Sequence, residues 1–159
     1  MRISYGYCGI MTWEFEHSIV TSAKKQIIWE LYSRVESWTI WDRGIESVSL
    51  EGEFKEGVPG KIKPKGQELL SYGITLADPD KGFSDETVVD NLGATIEFIH
   101  TFSSLPDGKT QLTNHITVNC QDKDEIEKEI GNGISSGVPK TMENIARMAV
   151  FIEKICRLH

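Results

Sequence analysis

Four polar side chains fall on otherwise apolar faces of alternating segments, and their types could do chemistry: His17, Tyr72, His100 and Asn114. In WEFEHSIV (13–20), Trp13, Phe15, His17 and Ile19 share one face, with Glu14, Glu16 and Ser18 on the other. That period of two marks a half-buried strand. ELLSYGITLA (68–77) aligns Leu70, Tyr72, Ile74 and Leu76 in the same way. GATIEFIHTFSSL (93–105) aligns Ala94, Ile96, Phe98, His100 and Phe102, and KTQLTNHITVNC (109–120) aligns Leu112, Asn114, Ile116, Val118 and Cys120. His115 is out of phase and reads as solvated. An inward imidazole can take a proton from a carbon beside a carbonyl while a phenol or amide stabilises the enolate oxygen. The same groups can instead orient a ligand in an apolar cavity, or be core side chains satisfied by hydrogen bonds.

Other chemistries find little support. GNG at 131–133 lacks both the spacing and the preceding strand of a phosphate-binding loop. No His-x-x-x-His or Cys-x-x-Cys occurs, so neither a metal nor a cofactor is expected. DKDEIEKE (122–129) reads as the solvated start of a helix. The cysteines (Cys8, Cys120, Cys156) are odd in number and far apart, as expected of free thiols in a reducing cytoplasm. A net charge of −7 disfavours nucleic-acid binding, which needs a basic face. No run of eighteen apolar residues is present, so no stable membrane insertion is expected.

The elements that must position these residues follow from the same periodicity. Thr21 and Ser22 offer an N-cap for AKKQIIWELYSRVESW, where Ile28, Leu31, Val35 and Trp38 recur at helical spacing. WTIWD forms a second short helix or turn, ended by Gly44, and Trp38 and Trp41 are placed to wedge the seam where chain re-enters strand geometry. IESVSLEG and GKIKPKG follow as strands, with Pro59-Gly60 expected as a turn between them. FSDETVVD and the hairpin turn PDG complete a meander of consecutive antiparallel strands.

In the last forty residues Ile126, Ile130, Ile134, Val138, Met142, Ile145, Ala149, Ile152 and Cys156 form one stripe. It predicts a single helix about 45 Å long. Gly131, Gly133, Gly137 and Pro139 interrupt it. The helix therefore starts either near Asp124, kinked at 131–139, or at Pro139. Residues 1–11 read as an N-terminal extension and 12–159 as one domain.

The expected architecture is α+β: a curved antiparallel sheet of about seven strands around a long C-terminal helix, with two short helices after the first strand. A twisted sheet bends away from a straight helix and leaves a wedge between them. Apolar wedges with a few polar groups are common small-molecule sites. Phe15, His17, Tyr72, Ile74, Phe98, His100 and Asn114 from the strands, with Met142, Ile145 and Met148 from the helix, are the expected lining.

The segments WEFEHSIVTSAKKQIIWELYSRVESWTIWDRGIESVSLEG and ISSGVPKTMENIARMAVFIEK carry a resemblance over residues 12–155. The order strand, short helices ending in W-x-x-W-D, strand meander, long helix resembles the START/Bet v 1-like (SRPBCC) superfamily. Within it the chain is most similar to the polyketide cyclase/dehydrase and lipid transport group. The resemblance implies a helix-grip fold and a partner that is a hydrophobic small molecule such as a lipid, isoprenoid or polyketide. The glycines and proline at 131–139 would let the helix lift to admit it. The alternative is a cyclase or dehydratase using His17, His100 or Tyr72. A further alternative is an interaction module like the Hsp90-activator branch, with Ile99 on its outer face. A monomer or a homodimer fits each reading.

Overall fold

The computed structural model describes residues 11–121 and 126–158; residues 1–10 of the expected 1–11 extension and a helix start near Asp124 lie outside the described residues, while Met11 already belongs to the first strand. Seven antiparallel strands make one sheet: β1 (Met11–Thr21), β2 (Ile45–Leu50), β3 (Pro59–Pro64), β4 (Leu70–Asp78), β5 (Gly82–Val89), β6 (Ala94–Ser104) and β7 (Thr110–Cys120). Their order is β1-β7-β6-β5-β4-β3-β2. Consecutive strands pair antiparallel from β2 to β7, and β1 closes on β7 from Met11↔Cys120 to Thr21↔Thr110. The inward face of β7 is buried at every alternate residue from Thr110 to Cys120, which is what strict period-two patterning predicts.

Two strand expectations are corrected. A register shift between Ile74 and Leu76 re-phases β4, so Leu76 turns to solvent; a bulge of this kind cannot be read from alternation. Pro59-Gly60 is not a turn but the start of β3, and the loop lies at 51–58. Gly60 pairs with both Leu50 and Tyr72. A Cβ there would collide with the Ser49 carbonyl and the Tyr72 ring, whose hydroxyl donates to that same carbonyl at 2.9 Å. Glycine is required by close approach, not by a bend.

After β1 come the two short helices, α1 (Lys25–Ser33) and α2 (Trp38–Trp41), joined by a single 3₁₀ turn at Val35–Ser37. The expected cap is displaced. Lys24 takes the N-cap position without a side-chain bond, while the Thr21 hydroxyl accepts from Ala23 N at 3.2 Å. Trp38 and Trp41 are buried at the seam as anticipated. Trp38 Nε1 donates to Tyr32 O at 2.9 Å and Trp41 Nε1 to Ser37 Oγ at 3.1 Å, which meets the one polar demand each indole carries. Asp42 Oδ1 accepts from Gly44 N at 2.9 Å and so ends the segment.

The C-terminal stripe is two helices, α3 (Ile126–Ser135) and α4 (Val138–Arg157), rather than one rod. The break falls at Ser136–Gly137, and Pro139 occupies the first turn of α4, where its missing N–H costs nothing. At twenty residues, α4 is about 30 Å long. It packs against α1, α2 and β1, and α3 against β7 and β1. Gly131 brings α3 directly onto the Trp13 indole, which fills the space a Cβ would need.

Gly60→Ala is expected to lower stability by about 1–3 kcal/mol, the usual cost of overpacking, read as a fall in thermal midpoint. A midpoint equal to wild type would show that the Tyr72–Ser49 contact does not require glycine.

Candidate functional site

The inward face is divided by a plug of aromatic rings. Tyr32 of α1 and Trp38 and Trp41 of α2 enter from the helical side, Phe54 from the β2–β3 loop, and Phe83 from the sheet. Phe83 contacts Tyr32, Trp38 and Phe54 with ring centroids at 5.0, 5.5 and 5.2 Å. His100 stacks on Phe83, at 4.3 Å and 12°, and its ring also lies 5.5 Å from that of Tyr32. Beyond His100 the face is less covered: Phe98, next along β6, is half-buried, as are Trp13, Phe15 and His17 of β1. Those three rings stack in series, at 6.1 Å and then 6.5 Å.

Strand register aligns the polar candidates. His17 faces Asn114, and Asn114 faces His100, so the three form one row across β1, β7 and β6. His100 Nδ1 lies 3.2 Å from Asn114 Oδ1. The next row runs Phe15, Ile116, Phe98, Asp85 and Ile74. Asp85 Oδ2 is 3.9 Å from His100 Nε2, and the two side chains are only 7% and 13% exposed.

Asp85 is the functional candidate that alternation missed. FSDETVV looks like an ordinary strand, and its parity places Phe83, Asp85 and Thr87 inward; all three are buried. An acid in phase with Phe83 was the available signal. Burial raises the Asp85 carboxyl to about 8, with the Glu97 charge adding to the shift. Burial lowers His100 to about 4, partly opposed by its bond to Asn114. At neutral pH the pair is therefore a protonated carboxyl beside a neutral imidazole, one group able to give a proton and one able to take it.

The remaining candidates sit as follows. Tyr72 is buried with its hydroxyl committed to Ser49 O, and burial pushes that phenol well above its ordinary range. Ile74, Met142 and Ile145 are fully buried in the core. Met148 instead lines an open groove of about 360 Å³ between α2 and α4, with Ile40, Trp41, Arg43, Asn144, Arg147 and Phe151. A second depression, about 250 Å³, lies around Ser71, Gly73, Thr75, Glu86 and Val88. Neither opens onto His17, His100 or Asn114. His115 pairs with Glu16 at 3.1 Å on the outer face, and Ile99, the outer-face candidate, is half-buried. Among the described residues no three His, Cys, Asp or Glu side chains converge as metal ligands would.

No family model matches the sequence, and no curated protein matches it. Solved structures do match in shape. Ara h 8.0201 superimposes with a TM-score of 0.71 at 11% identity, covering 88% of this chain and 99% of the other. Norcoclaurine synthase from Thalictrum flavum, in complex with dopamine and hydroxybenzaldehyde, gives 0.70 at 14% identity, with 94% and 96% covered. The Zhui aromatase/cyclase from Streptomyces gives 0.74 at 12% identity, with 87% and 94% covered. The chain has the helix-grip fold of the Bet v 1-like proteins.

The two shifted groups make a specific pH dependence. The folded chain keeps a proton on Asp85 up to about pH 8, which the unfolded chain releases near its ordinary 3.8. The unfolded chain keeps a proton on the imidazole up to 6.5, which folded His100 releases near 4. Between about pH 4 and 6.5 these differences cancel. From 6.5 to 8 only the Asp85 difference remains, so stability falls as pH rises, by up to about 1.4 kcal/mol per pH unit. Denaturant unfolding at pH 6.5 and 8 measures this, and Asp85→Asn is expected to remove the fall. A wild-type stability that is level or rising over that interval would contradict a buried neutral carboxyl.

Proposed function

We propose that the protein binds a hydrophobic small molecule with a planar or unsaturated portion, held against the inward aromatic surface formed by Trp13, Phe15, His17 and Phe98. The observation that carries this reading is Phe98. It lies in the middle of the sheet, between Asp85 and Ile116, which are both buried, yet it is itself half-buried. An aromatic ring left partly uncovered in that position offers apolar area for a ligand, at about 25 cal/mol per Å² removed from water. His100 and Asn114 supply the polar contacts that orient such a ligand. Carriage of a lipid, isoprenoid or polyketide is consistent with this surface. The likeness in fold to a synthase captured with dopamine and hydroxybenzaldehyde and to an aromatase/cyclase agrees with a ring-bearing ligand.

The neighbouring Asp85 and His100 favour a second reading, a cyclase or dehydratase. Neutral His100 would take the proton from a carbon beside a carbonyl, and the protonated Asp85 carboxyl would give its proton to the departing hydroxyl, which leaves as water. Proton transfer of this kind requires the two groups in the forms their burial dictates.

Native mass spectrometry of protein taken directly from cells is expected to show a co-purifying hydrophobic compound. Phe98→Ala and Phe15→Ala should each weaken binding of anilinonaphthalene sulfonate by about tenfold or more, the value of one buried aromatic side chain. Unchanged affinity in both would refute the proposed surface. Asp85→Asn and His100→Phe distinguish the two readings. In a binding protein His100→Phe removes an orienting hydrogen bond and weakens affinity with no turnover to lose, whereas an enzyme on this site loses turnover in both variants while ligand affinity changes little.

A further inference from the structure

The solvent-facing side of α4 differs in character from the rest of this acidic chain. Phe151 and Ile155 stand 62% and 41% exposed along it and Leu158, at its C-cap, 81%, and Ile40 of α2 adds a fourth apolar tip at 57%. Their spacing along α4, four residues and then three, places them on one helical face. Arg147 and Lys154 occupy the same face one turn apart from Phe151, and Arg43 lies across the groove. Among the described residues, Arg43, Arg147 and Lys154 enter no ion pair. The nearest acids on α4 are engaged elsewhere: Glu143 with Lys140 at 3.7 Å and Glu153 with Arg157 at 3.3 Å.

The groove itself is firmly built. Its floor is Trp41 and Met148, and Asn144 Nδ2 donates to Trp41 O at 3.3 Å, tying α4 to α2. Apolar tips projecting beyond such a floor cost the free protein exposed hydrophobic area.

We propose that this face of α4, with Ile40 and Arg43, docks the protein onto an anionic phospholipid surface. Apolar side chains projecting between long cationic ones match the interfacial region of a bilayer, where the chains enter the acyl boundary and the cations reach the headgroups. Charge complementarity favours lipid over a second copy of this chain. The molecule carries −7 overall, so an anionic surface repels it as a whole, and the cations of this face, interleaved with apolar tips, favour the orientation that brings α4 to the lipid. Two copies meeting through the same face would instead bring Arg43, Arg147 and Lys154 against their own equivalents. The proposal does not depend on the aromatic inward surface, and the groove lies outside it.

Co-sedimentation with phosphatidylcholine vesicles, with and without phosphatidylglycerol, tests it on the intact protein. The protein is expected in the pellet only when phosphatidylglycerol is present, and to return to the supernatant as salt is raised. Arg147→Glu with Lys154→Glu should lower the partition coefficient by about 25-fold or more, at about fivefold for each cation lost. Phe151→Ser with Leu158→Ser should lower it on vesicles of the same charge. All four positions are exposed, and thermal melts matching wild type establish that the variants are folded; Arg43→Glu from the other side of the groove provides an independent variant. Wild-type protein remaining in the supernatant at low salt overturns the proposal, as does pelleting that survives both charge reversals. Concentration-dependent dimerisation abolished by Phe151→Ser, without vesicle binding, would overturn it in favour of an interface between copies.

Discussion

Phe83 is the ring on which the arrangement of this molecule turns. It is buried in β5 and contacts the first helix through Tyr32, the second through Trp38, the β2–β3 loop through Phe54, and β6 through His100. Each such aromatic pair contributes about 0.5–1.5 kcal/mol beyond the area it buries. Together they fasten the short helices to one part of the sheet. What the plug covers is solid core. Past it the same inward face continues with rings only half-covered.

His100 stands at that boundary, stacked between Phe83 on the solid side and Phe98 on the more open one. Its position explains the electrostatics. The rings that exclude water from His100 and Asp85 also disfavour charge on either, so burial drives the carboxyl up and the imidazole down. The outcome is a polar pair that is neutral in a nonpolar setting, which is less costly than an isolated ion there. It can orient a ligand by hydrogen bonds without demanding that the ligand be charged. The groove between α2 and α4 is a separate surface whose basic and apolar side chains stay outside this core.

Much of the fold was legible in the residues. β7 alternates without exception, β6 nearly so, and the turn residues between them fix antiparallel pairing; these features alone require a sheet with one covered face. The tryptophan pair read correctly because two large rings within four residues have few places to go besides a seam. Where the reading failed, the reason was physical. The C-terminal stripe keeps its phase through residues 131–139, so periodicity could not separate α3 from α4. Alternation places Leu76 inward because a bulge changes parity without changing composition. Gly60 resembled a turn residue because the reason for it, the ring of Tyr72, lies twelve positions away in sequence. The site was half legible. Parity places His17, Asn114 and His100 on inward faces, but their alignment in one row depends on strand register, and composition does not separate Asp85 from the other polar residues of β5.

The central claim is that the inward face beyond His100 receives a hydrophobic ligand. Mapping the aromatic and methyl resonances of the protein during titration with anilinonaphthalene sulfonate addresses it most directly. The account predicts that Trp13, Phe15, Phe98 and His100 shift together in a saturable manner, while Ile40, Met148 and Phe151 in the outer groove follow only weakly if at all. Saturable shifts confined to the outer groove, with the β1 and β6 rings unmoved, would contradict it.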